Sequence, residues 1–105
     1  MQLLGAAPAK LTQQGLEHIV ARHWATSGAK GSGKFLDGTT ARGLKGMLET
    51  TTTQGLFRAD TFGRAGTIAE YNFSRVIGTT SGGAPAVSLR AVIGPNGNII
   101  TAFPY

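Results

Sequence analysis

The sequence contains no cysteine, few acidic residues and no long apolar run. Without cysteine the chain has neither a disulfide framework nor a zinc site with thiolate ligands, so packing alone must hold the fold. No segment approaches the roughly 20 apolar residues that a membrane-spanning helix needs, and we expect no membrane insertion. Met1–Ala7 lacks the basic region of a signal peptide. We therefore predict a linker over residues 1–10 and a single domain over 11–105.

The charge balance is strongly basic. Lys and Arg number 10 against 5 Asp and Glu, which gives a net charge of +5 and a pI near 10.3. A small basic domain suggests a polyanionic partner such as nucleic acid, an anionic membrane or an acidic protein inhibitor. An excess of positive charge that serves only solubility fits the composition equally well.

Hydrophobic periodicity predicts two helices followed by strands. The first helix is expected over Leu11–Ala25 with Thr12 as N-cap, and the second over Thr40–Gln54 with Gly55 as C-cap. Strand patterns then follow over Leu56–Thr61, Thr67–Ile77, Ala86–Ile93 and Ile99–Phe103. The predicted class is α+β, with two N-terminal helices packed on an antiparallel sheet of about four strands that follow one another as a meander.

The last two strands should form a hairpin, because Asn96–Gly97 is a strong signal for a two-residue turn. That turn would place Arg90 opposite Phe103, on a face that also displays Thr101. A cation, a hydroxyl and an aromatic ring on an open sheet face are able to hold a phosphate and stack a base. An ordinary solvated face is an equally good interpretation of this pattern.

Two histidines are the first candidates for chemistry. His18 and His23 are separated by about 140° of helical rotation, so they are expected on different faces and not as a zinc pair. The carboxylates are scattered singly, at Glu17, Asp37, Glu49, Asp60 and Glu70. This distribution predicts neither a metal site nor a cofactor.

Basic residues gather in two stretches that lack carboxylates. The segment from His18 to Leu36 contains Arg22, Lys30 and Lys34, and the segment after Glu70 contains Arg75 and Arg90. Cations without counter-ions suit a site that receives a phosphate. Metal-free RNA cleavage needs a base for the ribose 2′-OH, donors for the charged phosphorane and an acid for the leaving oxygen, and histidine serves as base or acid at neutral pH.

Each of these residues also has a purely structural interpretation. His23 lies within the apolar stripe of the first helix, so a hydrogen-bonded core histidine is as good an explanation as a catalytic one. Lys30 and Lys34 are equally compatible with simple solvation of a glycine-rich loop.

Three segments together resemble a known group of ribonucleases: LEHIVARHW at residues 16–24, GKF at 33–35 and GNIITAFP at 97–104. They look like the barnase/EndoU/colicin/RelE group, and are most similar to the C-terminal toxin domains of contact-dependent growth inhibition proteins. The likeness spans about residues 11–105. The chain lacks a Glu–Arg–His set carried on strands like that of barnase, because both of its histidines lie early in the sequence, on the first predicted helix.

The resemblance implies a metal-independent endoribonuclease that produces 2′,3′-cyclic phosphate ends, often from tRNA. It also implies a cognate immunity protein that plugs the active site, which we expect to be acidic. The catalytic candidates are His23, His18, Lys34 and Thr101. The RNA-binding candidates are Arg22, Lys30, Arg58, Arg64, Arg90 and Phe103. The domain is then expected to be the C-terminal part of a larger secreted or cell-surface bacterial toxin that acts in the cytoplasm of the target cell.

Two alternatives remain open at this point. A non-catalytic module that binds RNA or the ribosome would need the same basic face without cleaving anything. A structural domain of a phage or secreted adhesin explains the low content of charged residues, but not the clustering of cations.

Overall fold

The computed structural model of the chain describes residues 9–29, 31–59 and 66–105. Helix α1 spans Gln13–His23 and helix α2 spans Ala41–Gln54. Thr12 and Thr40 cap their N-termini, each hydroxyl accepting a hydrogen bond from the backbone N–H three residues later. Both helices and their caps agree with the sequence pattern to within two residues.

Within the described residues, one short strand lies between the helices and six more follow α2. They are β1 (Lys34–Phe35), β2 (Leu56–Ala59), β3 (Thr67–Asn72), β4 (Gly78–Thr79), β5 (Pro85–Ala86), β6 (Ser88–Ile93) and β7 (Ile99–Pro104). Four of them form an antiparallel sheet in the order β2-β3-β6-β7, and the other three form a small sheet in the order β1-β4-β5. The predicted α+β class is thus confirmed.

The small sheet was not predicted, and β3 ends earlier than its sequence pattern suggests. The Asn72 side chain accepts a hydrogen bond from the Ser74 backbone N–H at 2.7 Å, and Ser74 has a positive φ of 57°. This local turn stops the strand at Asn72 instead of Ile77. The chain then supplies β4 and β5, which pair around the glycine-rich turn after Thr80.

One face of the large sheet packs against the helices and forms the core. Ile19 of α1 and Leu44 and Leu48 of α2 are buried there together with residues from the sheet. The sheet residues in this cluster are Ala69, Leu89, Ala91, Ile93, Ile99 and Ala102. Because side chains alternate along a strand, the residues between these point to the opposite face.

The β6–β7 hairpin keeps its predicted register near the site but not at the turn. Arg90 does pair with Phe103. The turn, however, spans Gly94–Gly97, with Pro95 as its second residue and Gly97 at a φ of +86°. Proline at that position favours a type I turn followed by a left-handed glycine over the predicted two-residue turn. One extra residue, Ile100, is accommodated by a bulge and is exposed.

The chain already belongs to the domain at Lys10, whose backbone bonds to Gly97 and Ile99 beside β7. The rest of the predicted linker, residues 1–8, lies outside the described residues, as do Lys30 and Arg64. In the described ranges no helix is long and apolar enough to cross a membrane.

Candidate active site

A row of side chains crosses the face of the large sheet that points away from the helices. The strand register aligns Glu70 with Arg90 and Arg90 with Phe103, on three adjacent strands. Leu56 extends the row on β2. These residues alternate with the core positions along their strands. The sheet itself therefore holds a carboxylate, a guanidinium group and an aromatic ring side by side.

Glu70 is the centre of an ion-pair network. One carboxylate oxygen, Oε2, accepts a hydrogen bond from Arg90 Nε at 2.6 Å and lies 3.3 Å from Arg58 Nη2. Burial raises the pKa of the Glu70 carboxyl, but the hydrogen bonds and charges of the two arginines outweigh this and leave the pKa below its usual value. Glu70 is therefore ionised at neutral pH.

This network corrects the idea that Arg90 lacks a counter-ion. No acid follows Glu70 in the sequence, yet Glu70 itself faces Arg90 across β3 and β6. The bond through Nε orients the guanidinium and leaves its terminal amino groups as further donors. Arg58 shares the same carboxylate and is more exposed, with 43% of its side chain accessible against 27% for Arg90.

Two aromatic rings flank Arg90. Its guanidinium carbon lies 4.2 Å from the centroid of the Tyr105 ring and 5.8 Å from that of Phe103. Tyr105 follows β7 and continues the pairing, since its backbone exchanges hydrogen bonds with Ser88. Burial and the negative charge of Glu70 raise the pKa of the Tyr105 hydroxyl, while Arg90 opposes them. The Tyr105 phenol is therefore a neutral hydrogen-bond donor at neutral pH.

His23, the last residue of α1, completes the group. Its ring stacks on Phe103 with centroids 5.3 Å apart and planes inclined by 28°. Its Nδ1 donates a hydrogen bond to the carbonyl oxygen of Gly33 at 2.9 Å. This bond fixes the tautomer, so Nε2 carries the free lone pair.

The electrostatic surroundings favour neutral His23. Burial lowers the pKa of the imidazole, and the positive charges near it, on His18, Arg22 and Lys34, lower it further. The hydrogen bond to Gly33 opposes these effects without cancelling them. A neutral imidazole with a defined lone pair has the properties of a general base at neutral pH.

The loop before β1 presents the Gly33 carbonyl to His23. Lys34 Nζ donates hydrogen bonds to the carbonyl oxygens of Ala29 and Ser32, so its ammonium group ties this loop together. Gly33 lies so close to Pro104 that an added Cβ would collide with the Pro104 carbonyl. Lys34 is not among the residues that line the cleft described next, and its contacts are those of a residue that positions the loop.

His23, Arg90, Phe103 and Tyr105 surround a cleft of about 330 Å³, which we call the His23 cleft. This volume is within the range of roughly 300 to 1,000 Å³ that small-ligand sites have. The other lining residues are Gly31, Ser32 and Gly33 of the loop before β1, Thr80 and Ser81 at the β4–β5 turn, and Pro104 of β7. A cation, a base and two aromatic rings thus converge on one open space.

A second cleft of about 390 Å³ lies beside His18, between α1 and the Gly94–Asn98 turn, and we call it the His18 cleft. The two imidazole rings are neighbours, with centroids 6.2 Å apart and planes inclined by 58°. The two residues thus differ in exposure and line different clefts, as expected of different helix faces, yet their rings are close neighbours.

Thr101 lies on the same sheet face as Arg90 and Phe103, but it lines neither cleft. The residue is 8% exposed, and its Oγ1 is buried without a hydrogen-bond partner among the described residues. The predicted open face is thus closed at this position. Val92, its neighbour on β6, is also buried.

The remaining predicted residues lie outside the His23 cleft or outside the described part of the chain. Arg22 is exposed on α1 and influences His23 only through its charge. No three His, Asp or Glu side chains of the described ranges gather closely enough to hold a metal ion.

Sequence reasoning missed Glu70 and Tyr105. Glu70 is isolated in the sequence, and its pairing with Arg90 depends on the register between β3 and β6, which local patterns do not specify. Alternation along the last strand does predict that Tyr105 shares the face of Phe103.

A scan against protein-family models, a search of curated proteins and a search of solved structures each found no match to this chain.

Proposed function

We propose that this domain is a metal-independent endoribonuclease, with tRNA as its expected substrate. The observation that carries the proposal is the convergence of neutral His23, Arg90 and two aromatic rings on one cleft, with a second imidazole 6.2 Å from the first. These groups supply a base, a cation, a stacking platform and a second proton carrier without any other component.

The reaction begins at a ribose 2′-OH in the His23 cleft. His23 Nε2 takes the hydroxyl proton while the 2′-oxygen attacks the adjacent phosphorus atom. The bond from phosphorus to the 5′-oxygen of the next nucleotide then breaks, and His18 donates a proton to that oxygen. The products are a 2′,3′-cyclic phosphate and a 5′-hydroxyl end, and proton exchange with water restores both histidines.

Arg90 stabilises the negative charge that develops on the phosphorane. Glu70 holds the guanidinium through Nε, so the side chain is oriented before substrate binds. Preorganised donors of this kind stabilise the transition state more than donors that must become ordered during the reaction. The hydrogen bonds of Lys34 hold the loop that presents Gly33 to His23, which makes Lys34 a positioning residue.

The aromatic rings favour a single-stranded substrate. Phe103 and Tyr105 flank Arg90 at the cleft, and unstacked bases of RNA loops bind to aromatic and guanidinium planes. The net charge of +5 supports binding to the phosphate backbone of RNA. We assign contacts with this backbone to Arg22, Lys30, Arg58 and Arg64.

The biological role follows from the resemblance to contact-dependent toxins. The domain would be the C-terminal part of a secreted or cell-surface toxin, acting in the cytoplasm of a neighbouring bacterium. A cognate acidic immunity protein would then protect the producing cell by covering the His23 cleft. Attraction between opposite charges makes such a complex form quickly and weakens it in salt.

A non-catalytic RNA-binding module is the second candidate, because the net charge of +5 and the two aromatic rings at the His23 cleft would serve RNA binding equally well without cleavage. Incubation of the purified domain with total RNA in EDTA distinguishes the ribonuclease from the non-catalytic module. The proposal expects discrete fragments with wild type and none with His23→Gln. RNA that is bound but left intact would support the module instead.

A further inference from the structure

The His18 cleft is formed by two features of the backbone that bring α1 against the end of the hairpin. Gly15 packs directly on β7, where an added Cβ would collide with the carbonyl oxygen of Ile99. The bulge between β6 and β7 turns Ile100 outward, so that its side chain lines this cleft instead of the core. Bulges often redirect a side chain in this way next to binding sites.

The turn on the other side of the cleft is held in place by its own hydrogen bonds. Asn96 Oδ1 accepts a bond from the Asn98 backbone N–H at 3.1 Å, and the Gly94 N–H donates to the Asn98 carbonyl at 2.8 Å. Lys10 adds a backbone hydrogen bond to Gly97 from outside the turn. The cleft therefore has defined walls without a ligand.

The lining of the cleft suits a nucleobase better than a phosphate. Apart from His18, the described residues that line it are uncharged. Gln14 and Asn98 offer amide donors and acceptors, while Pro95 and Ile100 offer apolar surface. Amide groups recognise the edges of bases, and apolar side chains pack on their faces.

The two imidazole rings define which nucleotide would occupy this cleft. In the proposed reaction His23 serves the ribose on the 5′ side of the cut, and His18 serves the leaving oxygen of the next nucleotide. The nucleotide that follows the cut must therefore lie on the His18 side. The His18 cleft is the space available to its base, since the rings are 6.2 Å apart.

We infer that the His18 cleft binds the base of the nucleotide immediately 3′ of the cleaved bond, with Gln14 and Asn98 as the residues that select it. The inference rests on the proposed ribonuclease activity. It assigns a specificity role to two residues that carry out no proton transfer.

Cleavage of a randomised RNA pool, followed by sequencing of both new ends, tests the inference. Wild type should show a base preference at the first nucleotide 3′ of the cut. Gln14→Ala and Asn98→Ala should each weaken this preference by about three- to tenfold, the effect of one or two neutral hydrogen bonds. The preference on the 5′ side should stay unchanged.

Gln13→Ala is the matched control, because Gln13 is exposed and bonds to Glu17 instead of lining the cleft. An absent 3′ preference in wild type, or one that survives both cleft variants, would overturn the inference. No new ends at all would instead overturn the ribonuclease proposal, and the two failures are thus distinguishable.

Binding of a DNA probe gives an answer that does not depend on cleavage. A random single-stranded DNA hexamer lacks the 2′-OH and stays intact, and a fully abasic hexamer offers the backbone alone. NMR titration should shift the backbone amides of Asn96–Ile100 with the first probe and not with the second. Equal shifts with both probes, or none at these amides, would show that the cleft does not hold a base.

Discussion

The imidazole rings of His18 and His23 lie with their centroids 6.2 Å apart, one ring exposed and the other buried against Phe103. Each ring lines a different cleft. The two residues therefore meet at the boundary between the two clefts. In the proposed ribonuclease reaction the two rings have different tasks, with the buried ring as the base and the exposed ring as the acid.

The two tasks predict different dependence on the leaving group. His18→Ala should slow RNA cleavage by about a hundredfold, as the loss of a general acid does. It should cleave a uridine 3′-(4-nitrophenyl phosphate) at nearly the wild-type rate, because nitrophenolate leaves without a proton. His23→Gln should slow the cleavage of both substrates, as measured in single-turnover assays.

Thermal unfolding is the control for His18→Ala and His23→Gln. His23 is 6% exposed and packs on Phe103, so its replacement carries a risk of destabilisation that the exposed His18 does not. Activity that follows the fraction of folded protein would make His23 structural. If His18→Ala slows both substrates and His23→Gln spares the nitrophenyl ester, the two roles are reversed.

The lowered pKa of His23 predicts how activity and stability change with pH. The acidic limb of kcat/KM should have its midpoint below 6.5, because burial and nearby cations keep the imidazole neutral. Stability should fall as the pH drops below about 6.5, since the unfolded chain takes up a proton that folded His23 resists. The fall should level off once the pH is below the folded pKa.

His23→Gln should remove this loss of stability, measured as the melting temperature between pH 7.5 and 5. A kcat/KM midpoint at or above 6.5, or an unchanged stability profile in the variant, would show that His23 is not the neutral base that its surroundings indicate.

Arg90 and Arg58 form a matched pair, because both bind the same oxygen of Glu70 and both replacements remove one positive charge. Arg90→Ala should slow cleavage by about a hundredfold, since it removes the donor that faces the His23 cleft. Arg58→Ala should change the rate only a few-fold, because exposed ion pairs contribute little. Equal losses in the two variants would mean that overall charge, and not a specific donor, controls the rate.

Local chemistry explains which parts of the fold were predictable. Thr12 identified the start of α1 and Gly55 the end of α2, because a helix cap depends only on residues within one turn. The Arg90–Phe103 pairing also followed from the adjacent turn, even though Pro95 changed the turn type and Ile100 was displaced as a bulge.

Long-range pairing explains the parts that were missed. Glu70 is 20 residues from Arg90, and no tight turn between their neighbouring strands fixes the register that pairs them. The small sheet joins Lys34 to Thr79 through strands of two residues, which are too short to show a hydrophobic period. The site therefore became recognisable only when the register between β3 and β6 was known.

Replacement of Thr101 tests whether its hydroxyl is a catalytic hydrogen-bond donor or only a buried polar group without a partner. Its hydroxyl has no partner among the described residues, and Thr101→Val keeps the shape while removing the unsatisfied group. We expect the melting temperature to rise by a few degrees, consistent with relief of about 1 kcal/mol, and cleavage to stay within a few-fold of wild type. A hundredfold loss in a stably folded variant would instead identify Thr101 as the donor that the family resemblance implies.

The chemistry of the ends produced from RNA in EDTA tests the central proposal most directly. Purified domain and its His23→Gln variant would be incubated with total tRNA, and the fragments tested for ligation and phosphatase sensitivity. The account predicts 2′,3′-cyclic phosphate and 5′-hydroxyl ends with wild type and no fragments with the variant. Ends with a 5′-phosphate and a 3′-hydroxyl, or cleavage that requires added magnesium or zinc, would contradict it.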